Sequence, residues 1–112
     1  MKKVSKINDL SGIELDINVI SVIKEQLNIL DENYGVQRNI DTDLGGYVLI
    51  LESKDDVIKA RKDILDGIIP EYTDIIECKG GKQYCLSLFL LSSDYAVIVI
   101  SSKELMDRLI EN

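Results

Sequence analysis

Residues 47–51 read Tyr-Val-Leu-Ile-Leu, an unbroken apolar run that follows a Gly-Gly pair and precedes a helix-start signal. A helix of five residues would have little more than one turn, so the run predicts a β-strand. Consecutive side chains of a strand point to opposite faces, and the run therefore predicts a strand buried on both faces or central in a sheet. The Gly-Gly pair lies before the strand rather than after one, which indicates a backbone requirement, such as a bulge or a tight entry into the sheet, and not a phosphate cradle.

The segment upstream of this strand has the spacing of an amphipathic helix. Apolar side chains recur every three or four residues from Ile20 to Tyr34, which predicts a helix over about residues 18–34. Gly35 stands where a left-handed C-terminal cap is expected. Residues 13–19 alternate apolar and polar side chains in a strand-like way, so the start of the helix stays open by several residues.

A second helix is predicted directly after the apolar strand. Ser53 is a good N-cap, and Asp55 and Asp56 place carboxylates in a first turn whose backbone N–H groups need partners. Gly67 closes this helix, and Pro70 beyond it fits a stop.

The last third of the chain predicts a β-meander followed by a short helix. Three runs rich in β-branched, aromatic and aliphatic residues, at 72–78, 83–91 and 95–100, are separated by turn signals. Ser101-Ser-Lys-Glu104 has the spacing of a capping box. The order α-β-α-β-β-β-α predicts one α+β domain over residues 1–112. We expect a four-stranded, mainly antiparallel sheet with the helices packed on one face.

The two cysteines flank the Lys-Gly-Gly-Lys turn of this meander. If the turn is Gly80-Gly81, residue 78 faces Gln83, and Cys85 lies diagonally from Cys78, beyond the reach of an unstrained disulfide. If the turn is Gly81-Lys82, the two cysteines face each other and could be joined. The two-glycine turn favours the first register and two free thiols.

The charge of the chain is unevenly distributed. Apolar residues make up 46% and charged residues 29%, as in folded proteins, and the net charge is −7. Residues 31–77 contain twelve acidic and five basic residues, whereas the remainder contains eight of each, so the central stretch carries the whole excess. Such a surface argues against direct binding to nucleic acid and suits a basic protein partner. The alternative is that the acidic surface only keeps a small protein soluble. No apolar run approaches the roughly 18–20 residues of a membrane span, and we expect a cytoplasmic protein without a signal peptide.

The polar loop between the first helix and the apolar strand supplies most of the candidate binding residues. Tyr34 and Arg38 are residue types that often dominate protein interfaces. The alternative is that Tyr34 packs as the last member of the helix stripe and that Arg38 pairs with Asp31 or Asp41. The candidate partner-binding residues are Tyr34, Arg38, Asp41, Asp43, Asp55 and Asp56.

Catalytic and metal-binding patterns are incomplete. Asn39-x-Asp41-x-Asp43 resembles the start of a calcium loop, but Leu and Ile stand where its glycine and closing glutamate belong. The chain has no His and two Cys, which is too few for a zinc site. Because no nucleophile–base pair is present either, the sequence predicts a protein without enzyme activity, metal or cofactor.

Several short motifs together resemble small, mostly uncharacterised proteins of phages and prophages of Gram-positive bacteria. The resemblance covers about residues 28–100 and rests on LDENYG (30–35), Arg38, DTDLGGY (41–47), IPEY (69–72) and LLSSDYA (90–96). It implies an intracellular context and an accessory protein that acts on a host or phage protein. It carries no established function and no catalytic residue.

Three functional hypotheses follow. The first is a small acidic protein-binding module, an inhibitor or regulator of a basic, nucleic-acid-handling protein. The second is a self-assembling structural or accessory protein that forms a homodimer through an exposed sheet edge or an apolar helix face. The third, a hydrolase with a carboxylate pair, ranks last.

Overall fold

A computed structural model describes residues 1–33 and 45–111 of the chain. These residues form an α+β fold with a five-stranded mixed sheet and three α-helices. The elements are β1 (Lys2–Val4), α1 (Ile17–Asn33), β2 (Gly45–Ile50), α2 (Lys54–Lys59), β3 (Tyr72–Glu77), β4 (Gln83–Ser92), β5 (Tyr95–Ser102) and α3 (Lys103–Ile110).

The sheet has the strand order β1-β2-β5-β4-β3. The β2–β5 pairing is parallel, and the other three pairings are antiparallel. The prediction of an α+β fold is confirmed, but the prediction of four mainly antiparallel strands is wrong in detail. β1 was missed because it has only three residues, two of them lysines, and gives no apolar pattern.

Helices cover both faces of the sheet, so the expectation of helices on one face is wrong. Val48 and Ile50 of β2 pack with the buried stripe of α1. Tyr47, Leu49 and Leu51 point the other way and pack with α2, α3 and the turn after α2. The apolar run of β2 is continuous because each of its two faces needs a separate hydrophobic layer.

α1 lies close to the sheet where β2 begins. A Cβ atom on Gly46 would come within 2.6 Å of the Leu30 side chain, so glycine permits this approach. Gly45 has a φ of 86°. The interpretation of the Gly-Gly pair as a tight entry into the sheet is confirmed. α1 begins at Ile17, and no strand forms over the alternating residues 13–16 that precede it.

The helix starts at α2 and α3 follow their sequence signals. The Ser53 hydroxyl accepts the backbone N–H of Asp56 at 3.2 Å, as expected for the N-cap of α2. The Ser102 hydroxyl accepts the N–H of Leu105 at 3.3 Å, which places the cap of α3 one residue later than Ser101.

α2 continues into a π-helical turn, Ala60–Leu65. The sequence predicted helix up to Gly67 but not the π-helical form. The turn places Arg61 beside the C-terminus of α3, where its guanidinium donates to the carbonyl oxygens of Leu109 at 3.2 Å and Glu111 at 2.9 Å. Carbonyls at a helix end lack partners within the helix, so Arg61 joins α3 to the α2 region.

The β3–β4 hairpin adopts neither of the two registers considered from the sequence. Glu77 pairs with Gln83, and Cys78 donates its N–H to Lys82 across a three-residue turn, Lys79–Gly81. Cys85 therefore pairs with Ile75. Both thiols are free, and the cysteines contact opposite layers, Cys78 the α1 layer and Cys85 the α2/α3 layer.

Candidate functional site

Four of the six predicted binding residues, Tyr34, Arg38, Asp41 and Asp43, lie outside the described residues. Their role remains a prediction. The two others, Asp55 and Asp56, lie in the first turn of α2. Their surroundings are very different.

Asp56 is buried at the start of α2, where it serves the fold. Its carboxylate accepts the backbone N–H of Glu52 at 2.8 Å and lies 3.0 Å from the amino group of Met1. Burial raises the pKa of this carboxyl, but the N–H groups of Glu52 and Ser53 and the Met1 ammonium group outweigh burial and hold the pKa below its ordinary value. Asp55 is exposed, so it is the carboxylate of this turn that a partner could contact.

Two groups of acidic side chains lie at opposite edges of the sheet. The contact between Asp56 and Met1 places the start of α2 beside β1. A second acidic group, Glu71, Asp74 and Glu77, lies on or next to β3, at the opposite edge. A partner that follows one edge therefore meets only part of the acidic excess.

β3 presents free backbone groups along its outer edge. The Cys78 N–H donates to Lys82 within the ladder, so the N–H and C=O groups of every second residue before it, including Tyr72, Asp74 and Ile76, also point toward β4. Those of Thr73, Ile75 and Glu77 point outward. Asn18 of α1 covers the last of these positions, because its side chain donates to the Glu77 carbonyl at 3.0 Å. Within the described residues, the open part of the edge is thus at Thr73 and Ile75.

The end of this edge is fixed by the start of α1. The Asp16 carboxylate accepts the backbone N–H of Asn18 at 2.8 Å and that of Lys79 at 3.2 Å. These two hydrogen bonds hold the pKa of Asp16 below its ordinary value. The hairpin tip is thus tied to the start of α1.

The side chains of β3 are unusually exposed for a strand. Ile75 is 54% exposed and Tyr72 is 43% exposed, whereas Ile76 points into the α1 layer at 8%. The Thr73 hydroxyl lies 2.6 Å from that of Ser87, its cross-strand partner on β4. Ile75 therefore places an exposed apolar side chain at the edge of the sheet, next to the outward-pointing N–H and C=O groups.

The two edge strands are protected to different extents. β1 has three residues and carries Lys2 and Lys3, and the Lys3 ammonium lies 4.2 Å from the centre of the Tyr47 ring. Short length and lysines are two ways in which proteins block edge pairing. β3 has six residues and no lysine, so it is the edge that is suited to take a further strand.

Sequence reasoning missed Thr73 and Ile75 as candidate site residues. It placed them in a strand, but whether a strand is an edge depends on the whole sheet order. The one available signal was the mixture of Thr, Asp and Glu with Ile in this strand, which differs from the nearly all-apolar β5.

Other kinds of site find little support in the described residues. No group of three or more Cys, Asp or Glu residues there could hold a metal ion. No helix within residues 1–33 and 45–111 is long and apolar enough to cross a membrane. Comparisons with protein-family models, with curated proteins and with solved structures gave no match.

Proposed function

We propose that this chain is a non-enzymatic protein-binding module that takes an extended segment of a basic partner onto the open edge of β3. The observation that carries the proposal is the outward-pointing backbone at Thr73 and Ile75 on an edge strand without lysines. An extended peptide that adds to such an edge gains main-chain hydrogen bonds without a preformed pocket.

The charge next to this edge favours a basic segment. Glu71, Asp74 and Glu77 are exposed at or beside β3. Lys79 and Lys82 lie at the hairpin tip, beyond the position that Asn18 covers. Carboxylates beside the open positions would speed the approach of a Lys- or Arg-rich segment and orient it.

The partner class follows from the charge and from the resemblance to phage-borne proteins. Proteins that handle nucleic acid carry basic segments, and occupation of such a segment would inhibit or regulate them. An intracellular, cytoplasmic site of action belongs to this proposal.

A second copy of the chain is the competing occupant of the same edge. Antiparallel pairing centred on Ile75 would bring the two exposed Ile75 side chains together. In that register Asp74 of each copy faces Ile76 of the other. The two Asp74 carboxylates then lie on one face, diagonally across the ladder at about 7–8 Å, and their repulsion opposes pairing. A basic partner removes this repulsion, so we favour it over a homodimer.

The test compares two lysine substitutions at similarly exposed isoleucines. Ile75→Lys places a charge on the open edge, and Ile58→Lys places the same charge on α2, where Ile58 is 60% exposed. The probe is a seven-residue peptide with leucine at its second and sixth positions, threonine at the fourth and lysine elsewhere. We expect Ile75→Lys to weaken peptide binding by roughly tenfold or more, since an edge lysine blocks strand addition.

Ile58→Lys is expected to bind the peptide within about twofold of the unsubstituted chain, since it adds the same charge away from β3. Equal binding by the Ile75→Lys variant would overturn the proposal. The proposal would also be overturned if the molecular mass doubled with protein concentration in the absence of peptide and Ile75→Lys restored the monomer. The edge would then be occupied by a second copy.

A further inference from the structure

An apolar notch lies on the α2/α3 face of the sheet, at the start of β3. Its floor consists of buried side chains, Leu65, Phe89 and Leu109. Its rim carries isoleucines that are far more exposed than usual, with Ile68 at 37%, Ile69 at 79% and Ile110 at 41%. Exposed apolar side chains that surround a buried apolar floor are typical of a binding feature rather than of a solvated surface.

The notch has the size of one side chain. Its volume is about 170 Å³. A cavity of about 150 Å³ holds a benzene molecule, so there is room for one aliphatic side chain. Arg61 lines the notch, but its guanidinium donates to carbonyl oxygens at the end of α3, and this leaves the lining mainly apolar.

The notch lies in line with the open edge. On β4, Cys85 pairs with Ile75 and Ser87 pairs with Thr73. Phe89 follows two residues later on the same face, at the floor of the notch. Four residues of extended chain span about 13 Å. Consider a segment added along β3 with one side chain beside Ile75. Its side chain four residues further on lies on the same face, near the notch.

We infer that the notch binds an aliphatic side chain of the basic segment that adds to β3, four residues from the side chain beside Ile75. This inference rests on the proposed function and extends it to specificity. Successive side chains of a strand point to opposite faces. Of the three residues between the two aliphatic ones, the middle residue therefore lies beside Thr73 and the other two point to the opposite face. The preferred segment is therefore one with two aliphatic residues at a spacing of four and with lysine or arginine near Asp74.

The experiment compares the peptide described above with a second peptide in which one of its two leucines is replaced by alanine. The two-leucine peptide has the same sequence in both directions, so it can add to β3 in either strand orientation. We expect the two-leucine peptide to bind the unsubstituted chain about tenfold more tightly, as expected for one additional buried leucine side chain. In the double variant Ile69→Gln/Ile110→Gln this ratio is expected to fall to near one, and in the control variant Ile58→Gln it is expected to stay near ten.

The outcomes separate the notch from the edge. Equal affinity of the two peptides for the unsubstituted chain, with binding of both still lost in Ile75→Lys, would overturn the notch and leave strand addition in place. Binding of neither peptide at about 1 mM would overturn both proposals. A ratio that stays near ten in the double variant would place the second leucine elsewhere and contradict the inference.

Discussion

Asp56 is the residue whose role differs most from its expected one. The sequence placed it with Asp55 as a surface carboxylate, because both follow a Ser cap at the start of a helix. In the structure it binds the backbone N–H of Glu52 and the Met1 amino group, and only 11% of its side chain is exposed. Composition and spacing reveal that a carboxylate is near a helix start, but not which way it turns.

Asp56→Asn is expected to destabilise the fold at neutral pH by about 1–3 kcal/mol, since a charged acceptor of buried donors is lost. The pKa of Asp56 is lowered in the folded chain. Its stabilising contribution is therefore present above the unfolded pKa, about 3.9, and is lost as the pH falls through the lower folded pKa. Urea unfolding at pH 7 and at pH 3 measures the difference.

Asp55→Asn is the matched control for this substitution. It removes a carboxylate from the same first turn of α2, but from an exposed position. We expect a change within about 0.5 kcal/mol. A loss of stability as large as that of Asp56→Asn would show that the helix dipole, and not the buried contacts of Asp56, is the cause.

The cysteines form a second residue-scale prediction. Cys78 and Cys85 contact opposite sides of the sheet, and burial raises the pKa of both thiols. The denatured, unreduced protein is expected to react with two equivalents of Ellman's reagent. In the folded protein Cys85 should react slowly, because it is 3% exposed. A count near zero after denaturation would contradict the hairpin register.

At the scale of elements, local signals predicted most of the helices and strands. The N-cap at Ser53 and the apolar run of β2 each specify an element within a few residues. In both cases the signal, a capping side chain or a run of buried residues, lies inside a short stretch of sequence. β1 was missed, since its three residues give no periodic pattern. Residues 60–65 were predicted as part of the second helix, but their π-helical form was not. The hairpin register was wrong by one position, because the chain uses a three-residue turn with both Gly80 and Gly81 at positive φ.

β2 should be sensitive to substitution, because all six of its residues are buried. Leu49 is 2% exposed and packs in the α2/α3 layer. Leu49→Ala is expected to lower the free energy of unfolding by about 2–5 kcal/mol. Ile58→Ala, at a site 60% exposed, should change it by less than about 0.5 kcal/mol. Denaturant unfolding of the two variants compares them, and equal losses would contradict the placement of β2 in the core.

At the scale of the whole molecule, the sequence predicted the α+β class but not the arrangement of layers. β2 pairs in parallel with β5, and paired residues are 50 positions apart in the sequence. This pairing depends on non-local packing that no short stretch of sequence contains. The same limit applies to the candidate site. The acidic excess was visible in the sequence, but the placement of part of it at two opposite sheet edges was not, and neither was the open edge at Thr73 and Ile75.

The charge distribution of the molecule also makes the proposed binding sensitive to salt. Attraction between exposed carboxylates and a lysine-rich peptide is screened over about 10 Å at 0.1 M salt. We expect the association rate of the peptide to fall several-fold between low and moderate ionic strength. Stopped-flow mixing in 0.02 M and 0.2 M NaCl measures this rate, and an unchanged rate would remove electrostatic steering from the account.

Amide hydrogen exchange along β3, followed by NMR with and without the lysine- and leucine-bearing peptide, tests strand addition most directly. In the free protein the N–H groups of Tyr72, Asp74 and Ile76 should exchange slowly, because they point toward β4, while those of Thr73 and Ile75 exchange rapidly. With saturating peptide, Thr73 and Ile75 should slow by at least tenfold, and the three inward amides serve as the internal reference. Bound peptide that leaves the exchange of Thr73 and Ile75 unchanged would contradict strand addition at β3.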